Sequence, residues 1–207
     1  MNKQQAILKI LAETYPNPKT ELNHDTPFQL LIATILSAQC TDKRVNLITS
    51  KLFADHPTLE SMAALSVEEI EDYIRTAGLW KNKARNIKET CQILLEKYNG
   101  EVPKTREELM ELPGVGRKTA NVVLANAFRI PAFAVDTHVH RVANRLALVN
   151  SNNVDQTERQ LMEIVPKSDW LDAHHWLILH GRRVCKARNP ECHLCPLNQL
   201  CPSVKLD

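Results

Sequence analysis

The segment Leu112 to Leu124, LPGVGRKTANVVL, leaves little freedom in what it can fold into. Pro113, Gly114, Val115 and Gly116 predict a tight turn, the two glycines supplying positive-φ or close-approach backbone that other residues resist. Ala120, Val123, Leu124 and Ala127 then recur at the i, i+3, i+4, i+7 spacing of a buried helix face. A turn with available backbone N–H groups, opening straight into a helix, suits an anion such as phosphate. Lys118 falls in the first turn of that helix. The positive end of the helix dipole disfavours its ammonium form there, which makes the amine a better nucleophile near neutral pH. Asp136, in AVDTH (Ala134 to His138), is placed to cap a further helix beginning near Thr137.

The rest of the chain carries the same helical grammar. Only 5 glycines and no sustained alternating pattern point to an all-α fold, and 207 residues suffice for one large domain or two modest ones. Pro27 after Thr26 reads as an N1 proline, followed by the apolar stripe Phe28, Leu31, Ile32 and Ile35. Ser66 with Glu69, Thr105 with Glu108, and Asp155 with Glu158 read as capping boxes or close variants. Ala84, Ile87, Cys91, Leu94 and Tyr98 mark a long helix ending at Asn99-Gly100, and Val139, Val142, Ala143 and Leu146 repeat the stripe after Asp136. This amounts to about ten helices and no strand. Polar loops are expected at Tyr15 to Pro27 and Val149 to Asp155.

A hydrophobic content of 43% with 24% charged residues fits a soluble globular protein. No apolar run approaches the ~20 residues needed to cross a bilayer, and the N-terminal stretch lacks a secretory signal's features. The expected residence is cytoplasmic, with no membrane partner, where structural disulfides are disfavoured. A net charge of +2 says little, but its distribution says more. Lys81, Lys83, Arg85 and Lys88 form one window free of acids; Arg117, Lys118 and Arg129 form a second; Arg182, Arg183, Lys186 and Arg188 form a third. Segregated basic patches are the footprint of phosphate contacts, although any one of them also reads as a solvated helix face.

Cys185, Cys192, Cys195 and Cys201 are spaced C-x6-C-x2-C-x5-C. Four cysteines this close in a reducing compartment point to a metal centre, whereas Cys40 and Cys91 read as small core residues on helix stripes. Zinc sites with four cysteines usually show two close pairs, and only Cys192/Cys195 forms one; an iron–sulfur cluster tolerates the spacing better but is not the only reading. The histidines His138, His140, His174, His175 and His180 lack the spacing of a shared helical site and read as structural or phosphate-contacting.

LPGVGRKTANVVL, AVDTH, the cysteine pattern and the upstream LIATILSAQCTD (Leu31 to Asp42) together resemble the endonuclease III family of DNA repair glycosylases, over nearly the whole chain. The resemblance implies two helical lobes: residues 22–132 with a helix–hairpin–helix, and residues 1–21 plus 133–207 with a C-terminal [4Fe–4S] cluster loop, the active site lying in the cleft between them. It implies that the four cysteines ligate the cluster, which staples the C-terminal loop. It implies that Lys118 attacks C1′ of the damaged nucleotide, and that Asp136 assists and offsets the positive charge developing on the sugar. Gln39 matches the residue that fills the gap left by the flipped base, and Leu79 matches the wedge in the opposite strand. On residues alone, Gln39 reads equally as a helix end and Leu79 as a packing residue. Gly114, Gly116 and Arg117, with Arg182 and Arg183, are the remaining expected DNA contacts. Trp80 departs from the tyrosine common after the wedge leucine.

The implied function is base excision repair by a monomer acting on double-stranded DNA with damaged bases or abasic sites. Oxidised pyrimidines are excised and the strand is cut 3′ of the abasic site by β-elimination. One rival is a monofunctional mismatch glycosylase of the same superfamily; Lys118 and a chain ending at Asp207, without a further C-terminal domain, speak against it. The other is a non-catalytic DNA-binding module with a structural metal, which leaves the Lys118 and Asp136 pairing as coincidence.

Overall fold

The computed structural model describes residues 2–205, in which all regular structure is helical. The helices are α1 (Lys3–Thr14), α2 (Pro27–Leu36), α3 (Asp42–Asp55), α4 (Leu59–Ala63), α5 (Val67–Ile74), α6 (Trp80–Lys97), α7 (Arg106–Met110), α8 (Arg117–Phe128), α9 (Thr137–Arg145), α10 (Val154–Ile164) and α11 (Trp170–Arg183). Short 3₁₀ turns lie at Lys167–Asp169 and Cys192–Leu194. The chain divides into two compact units, Thr20–Ile130 and Met1–Lys19 with Pro131–Asp207.

The Thr20–Ile130 unit is organised around α2, whose residues from Phe28 to Leu36 are all buried. It packs against α3, α6 and α8. Such burial is tolerable because its polar groups are satisfied: Thr34 Oγ1 donates to the Leu30 carbonyl (2.7 Å), and the Gln29 amide reaches the Pro57 carbonyl (3.3 Å). Short helices have proportionally many unpaired end groups, and this unit caps them with hydroxyls. Thr26, Thr41, Thr58, Ser66 and Thr105 begin α2, α3, α4, α5 and α7, each accepting an N3 backbone N–H. The Ser66/Glu69 box closes reciprocally, whereas Thr105 donates its hydroxyl to the Glu108 carboxylate. Helices α6 and α8 differ: their N-cap positions are Leu79 and Gly116, with no side-chain cap. At its other end α6 stops where the sequence predicts, with Asn99 and Gly100 left-handed and the Gly100 N–H returning to the Leu94 carbonyl (2.9 Å).

The second unit buries Ile7, Leu8 and Leu11 of α1 against α11, which packs on α9, in one core with a fully buried Phe133. Val139, Val142, Ala143 and Leu146 face this core as their spacing predicts. Half-buried Cys185, Cys195 and Cys201 pack on the same core, so the C-terminal segment is seated by its cysteines.

Two local expectations are corrected. Helix α10 is capped by Asn153 with Gln156 at N3, not by Asp155 with Glu158, because Asn153 carries the extended backbone that lets its side chain reach the Gln156 N–H (2.9 Å). Cys40 lies in a bend between α2 and α3 rather than on a helix stripe, since α2 ends at Leu36. Cys91 is fully buried on α6, and burial pushes its thiol up to about 12.

Because Leu31 is fully enclosed at the centre of α2, Leu31→Ala should lower stability by about 2–5 kcal/mol. The shift in the unfolding midpoint of the cluster-loaded protein checks this.

Candidate functional site

Helices α7 and α8 are joined by the hairpin that LPGVG predicts. The Val115 N–H closes on the Leu112 carbonyl (3.1 Å), and the buried Leu112 and Val115 anchor the turn while Gly114 and Gly116 stay exposed. The glycines are not equivalent. Gly114 has φ +77°, and a Cβ there would fall 2.7 Å from Asn86 Nδ2. Gly116, expected to need special backbone, has an ordinary extended conformation (φ −90°, ψ 178°), and a Cβ there would meet no neighbouring atom within 4 Å. What Gly116 contributes is a bare helix entrance with no competing side-chain cap. Arg117 opens α8 and Lys118 follows, its side chain exposed beside that entrance.

In the other unit Asp136 is the N-cap of α9. Its Oδ1 accepts both the His138 (2.8 Å) and Val139 (2.9 Å) N–H groups, which fixes the carboxylate and leaves Oδ2 outside the cap. Two arginines further along α9 hold the first cysteine of the C-terminal motif. Arg141 Nη2 donates to the carbonyls of Gly181 (2.9 Å) and Cys185 (3.0 Å) and approaches His138 Nδ1 (3.3 Å). Arg145 donates to the Lys186 (2.7 Å) and Ala187 (3.1 Å) carbonyls and to Cys185 Sγ (3.5 Å). The helix that presents Asp136 is thereby tied to the cysteine segment. Sequence reasoning missed both arginines; their i, i+4 spacing on one face of α9 was the available signal.

Cys185, Cys192, Cys195 and Cys201 line one cavity of about 1040 Å³, together with Arg145 and His180. His180 is fully buried, and burial pushes its imidazole down to about 4, so it is neutral near pH 7. Its Nδ1 lies 3.1 Å from the Tyr15 hydroxyl and its Nε2 3.5 Å from Cys195 Sγ. Burial first, then the neighbouring cysteines, raise the Cys195 and Cys201 thiols. Four thiolates can therefore coexist here only around a strongly positive group; Arg145 already donates to one of the four sulfurs, Cys185 Sγ. The donor set fits an iron–sulfur cluster.

Gln39 and Leu79 share a property that spacing did not reveal. Both are exposed, left-handed non-glycine residues, with φ 53° and 58°, in the unit built on α2. Such backbone costs on the order of 1–3 kcal/mol and gathers at functional sites. The nearby basic window is only partly a surface feature. Lys83 is buried and donates to the Leu36 (2.8 Å) and Ala38 (2.6 Å) carbonyls; Lys88 donates to those of Ala63 (2.6 Å) and Leu65 (2.7 Å). These two lysines cap the C-terminal ends of α2 and α4, so only Lys81 and Arg85 of that window are exposed. Burial lowers the Lys83 pKa from its ordinary value. In the third window Lys186 pairs with Glu191 (2.5 Å) and Arg183 lies over the Tyr15 ring, while Arg182 and Arg188 are exposed. His174 and His175 are buried, His174 contacting the Ala134 carbonyl (2.6 Å), which leaves them structural.

Residues 32–167 match the family described as HhH-GPD superfamily base excision DNA repair protein, and residues 185–201 match the iron–sulfur binding domain of endonuclease III. Endonuclease III of Escherichia coli K12 is 53% identical over 96% of this chain and 94% of its own length; that of Haemophilus influenzae is 51% identical over 97% and 96%. A solved structure of a trapped covalent endonuclease III–DNA intermediate superposes with a TM-score of 0.92 and 50% identity, covering 98% of this chain and 97% of that one. The chain belongs to the HhH-GPD superfamily of base excision DNA repair proteins and, within it, to the endonuclease III family. Its cofactor is a [4Fe–4S] cluster. Among the described residues no helix is long and apolar enough to cross a membrane.

The hairpin glycines should separate fold from function. Gly114→Ala, strained and sterically opposed, should lower the unfolding midpoint clearly, whereas Gly116→Ala should change stability by less than about 0.5 kcal/mol. Thermal denaturation of the two variants side by side checks the contrast.

Proposed function

We propose that this chain is a bifunctional DNA glycosylase and AP lyase of base excision repair, acting as a cytoplasmic monomer on oxidised pyrimidines in duplex DNA. The observation that carries the reading is Lys118, an exposed amine one residue into α8, directly after an uncapped hairpin, in a chain that matches endonuclease III over its whole length. A covalent DNA intermediate has been trapped in the endonuclease III structure it resembles, and such an intermediate needs a nucleophile. Lys118 is the residue proposed for that role.

In this reading the hairpin amides near Gly114 and Gly116, with Arg117, hold a phosphate, and Arg182 and Arg183 add contacts elsewhere on the backbone. The damaged nucleotide leaves the stack, Gln39 fills its place and Leu79 enters the opposite strand. The Lys118 amine attacks C1′ and forms a C–N bond as the glycosidic bond breaks, the departing base taking its electron pair and a proton. Oδ2 of Asp136, outside the helix cap, offsets the positive charge that gathers on the sugar. Ring opening leaves a protonated Schiff base, which acidifies C2′–H; loss of that proton expels the 3′ phosphate by β-elimination. Water then releases Lys118.

Cys185, Cys192, Cys195 and Cys201 are the proposed ligands of the cluster, which supplies a rigid cross-link for the C-terminal segment rather than bond chemistry at the base. Arg141 and Arg145 give this cross-link a route to the helix of Asp136. Replacing any one of the four cysteines by alanine should reduce iron and sulfide content and the yellow-brown absorbance of the purified protein. Full retention of iron in any one of them would remove that cysteine from the ligand set.

The catalytic assignment demands an asymmetry. Lys118→Gln should abolish base release and borohydride trapping while leaving DNA affinity within a few-fold, since one of several phosphate-range charges is lost. Asp136→Asn should slow excision by roughly 100-fold or more, yet retain measurable cleavage at a pre-formed abasic site, where no base must leave. Normal trapping by Lys118→Gln, or equal residual activity of both variants on abasic DNA, would mean that another residue is the nucleophile.

A further inference from the structure

Lys83 is the least expected cation in the chain. It is 4% exposed, sits one turn into α6, and aims its ammonium at the carbonyls of Leu36 and Ala38, 2.8 and 2.6 Å away. Those carbonyls belong to the turn that ends α2 and immediately precedes Gln39. The Lys83 N–H, in turn, donates to the carbonyl of Leu79 (3.1 Å). One residue therefore hydrogen-bonds to both left-handed turns, through its side chain to one and its backbone to the other. The turns also touch directly: a Cβ on Gly78 would come within 3.1 Å of the Gln39 carbonyl oxygen. Ser37 closes the earlier part of the end of α2, its N–H on the Ala33 carbonyl (3.0 Å) and its hydroxyl on the Thr34 carbonyl (2.7 Å), so Lys83 holds the carbonyls nearest Gln39.

We propose that Lys83 is a positioning residue that locks the Gln39 turn to the Leu79 turn, so that the gap-filling and wedge side chains enter the duplex as one rigid unit. This rests on the roles proposed above for Gln39 and Leu79. Two side chains that must replace a base and part its neighbour have to arrive in a fixed relation, since a shift of about 1 Å in such a pair can cost on the order of 100-fold in rate. A buried ammonium on two carbonyls resists that shift better than a neutral donor, being charge-assisted at both bonds.

The test uses the full-length, cluster-loaded protein carrying Lys83→Met, with three readouts. These are single-turnover excision of one oxidised pyrimidine from a duplex, fluorescence of 2-aminopurine placed opposite the lesion, and borohydride trapping on a single-stranded abasic oligonucleotide, where there is no stack to enter. A positioning role requires a roughly 10- to 100-fold slower excision and loss of the fluorescence rise, with trapping kept within about 2-fold. In a Gln39→Ala/Leu79→Ala background, Lys83→Met should add less than about 2-fold, because its action passes through those residues. Equal losses in excision and trapping, or an undiminished further loss in that background, would overturn the positioning role while leaving the reading of Gln39 and Leu79 intact. Unchanged excision and fluorescence in Gln39→Ala/Leu79→Ala itself would instead overturn that reading, and the proposal with it. If Lys83→Met does not fold, Gly78→Ala presses on the same contact from the exposed side and must give the same selective pattern at smaller amplitude.

Discussion

The ends of helices govern this structure. A fold made of short helices exposes many backbone N–H and C=O groups that no internal bond can reach, and each must find a partner or water. At N-termini the chain solves this locally, with Thr26, Thr41, Thr58, Ser66, Thr105, Asp136 and Asn153 each folding back on the helix they begin. At C-termini it reaches across the fold, with Lys83 and Lys88 closing α2 and α4, and Arg141 closing α11 at the Gly181 carbonyl. Polar side chains thus serve first as completions of the backbone. Those left over are the ones available to a ligand.

This division separates the basic residues into two populations that composition cannot tell apart. Lys83, Lys88, Arg141 and Arg145 have backbone carbonyl partners inside their own unit, and their charge is spent on holding loops. Lys81, Arg85, Lys118 and Arg188 are exposed on the surface. A count of basic residues therefore overstates the surface that could meet a phosphate backbone. The acidic Asp136 combines the two uses in one side chain, one oxygen capping α9 and the other outside the cap.

What the sequence made legible follows from the same distinction. The LPGVG turn, the start of α9 at Thr137, the Ser66/Glu69 box and the end of α6 at Asn99-Gly100 are set by residues within a few positions of each other, and all are readable from spacing. The cysteine motif is similarly local. The partners of Lys83 and Lys88 were illegible because they lie 45 to 47 and 23 to 25 residues away, and the spacing of Arg141 and Arg145, though visible, could not name partners 40 to 44 residues away. Cys40 was misplaced for a related reason: α2 stops where a lysine from α6 holds its last carbonyls. Asp155 reads as the cap of α10, but the structure gives that place to Asn153, a residue type that caps as well and whose extended backbone lets its side chain reach the Gln156 N–H.

Gly116 shows where such a chain cannot be improved. A serine or aspartate at that position would meet no steric obstacle and would supply the cap that α8 lacks, a gain of about 1 kcal/mol by the measure of other helices. The new oxygen would also occupy the amides proposed to hold a phosphate, and an aspartate would repel such an anion outright. On that proposal, helix stability and phosphate binding pull on this residue in opposite directions. A consensus-minded engineer raising the thermal tolerance of this enzyme should treat the bare entrance of α8 as a deliberate vacancy and seek rigidity in the second unit's loops instead.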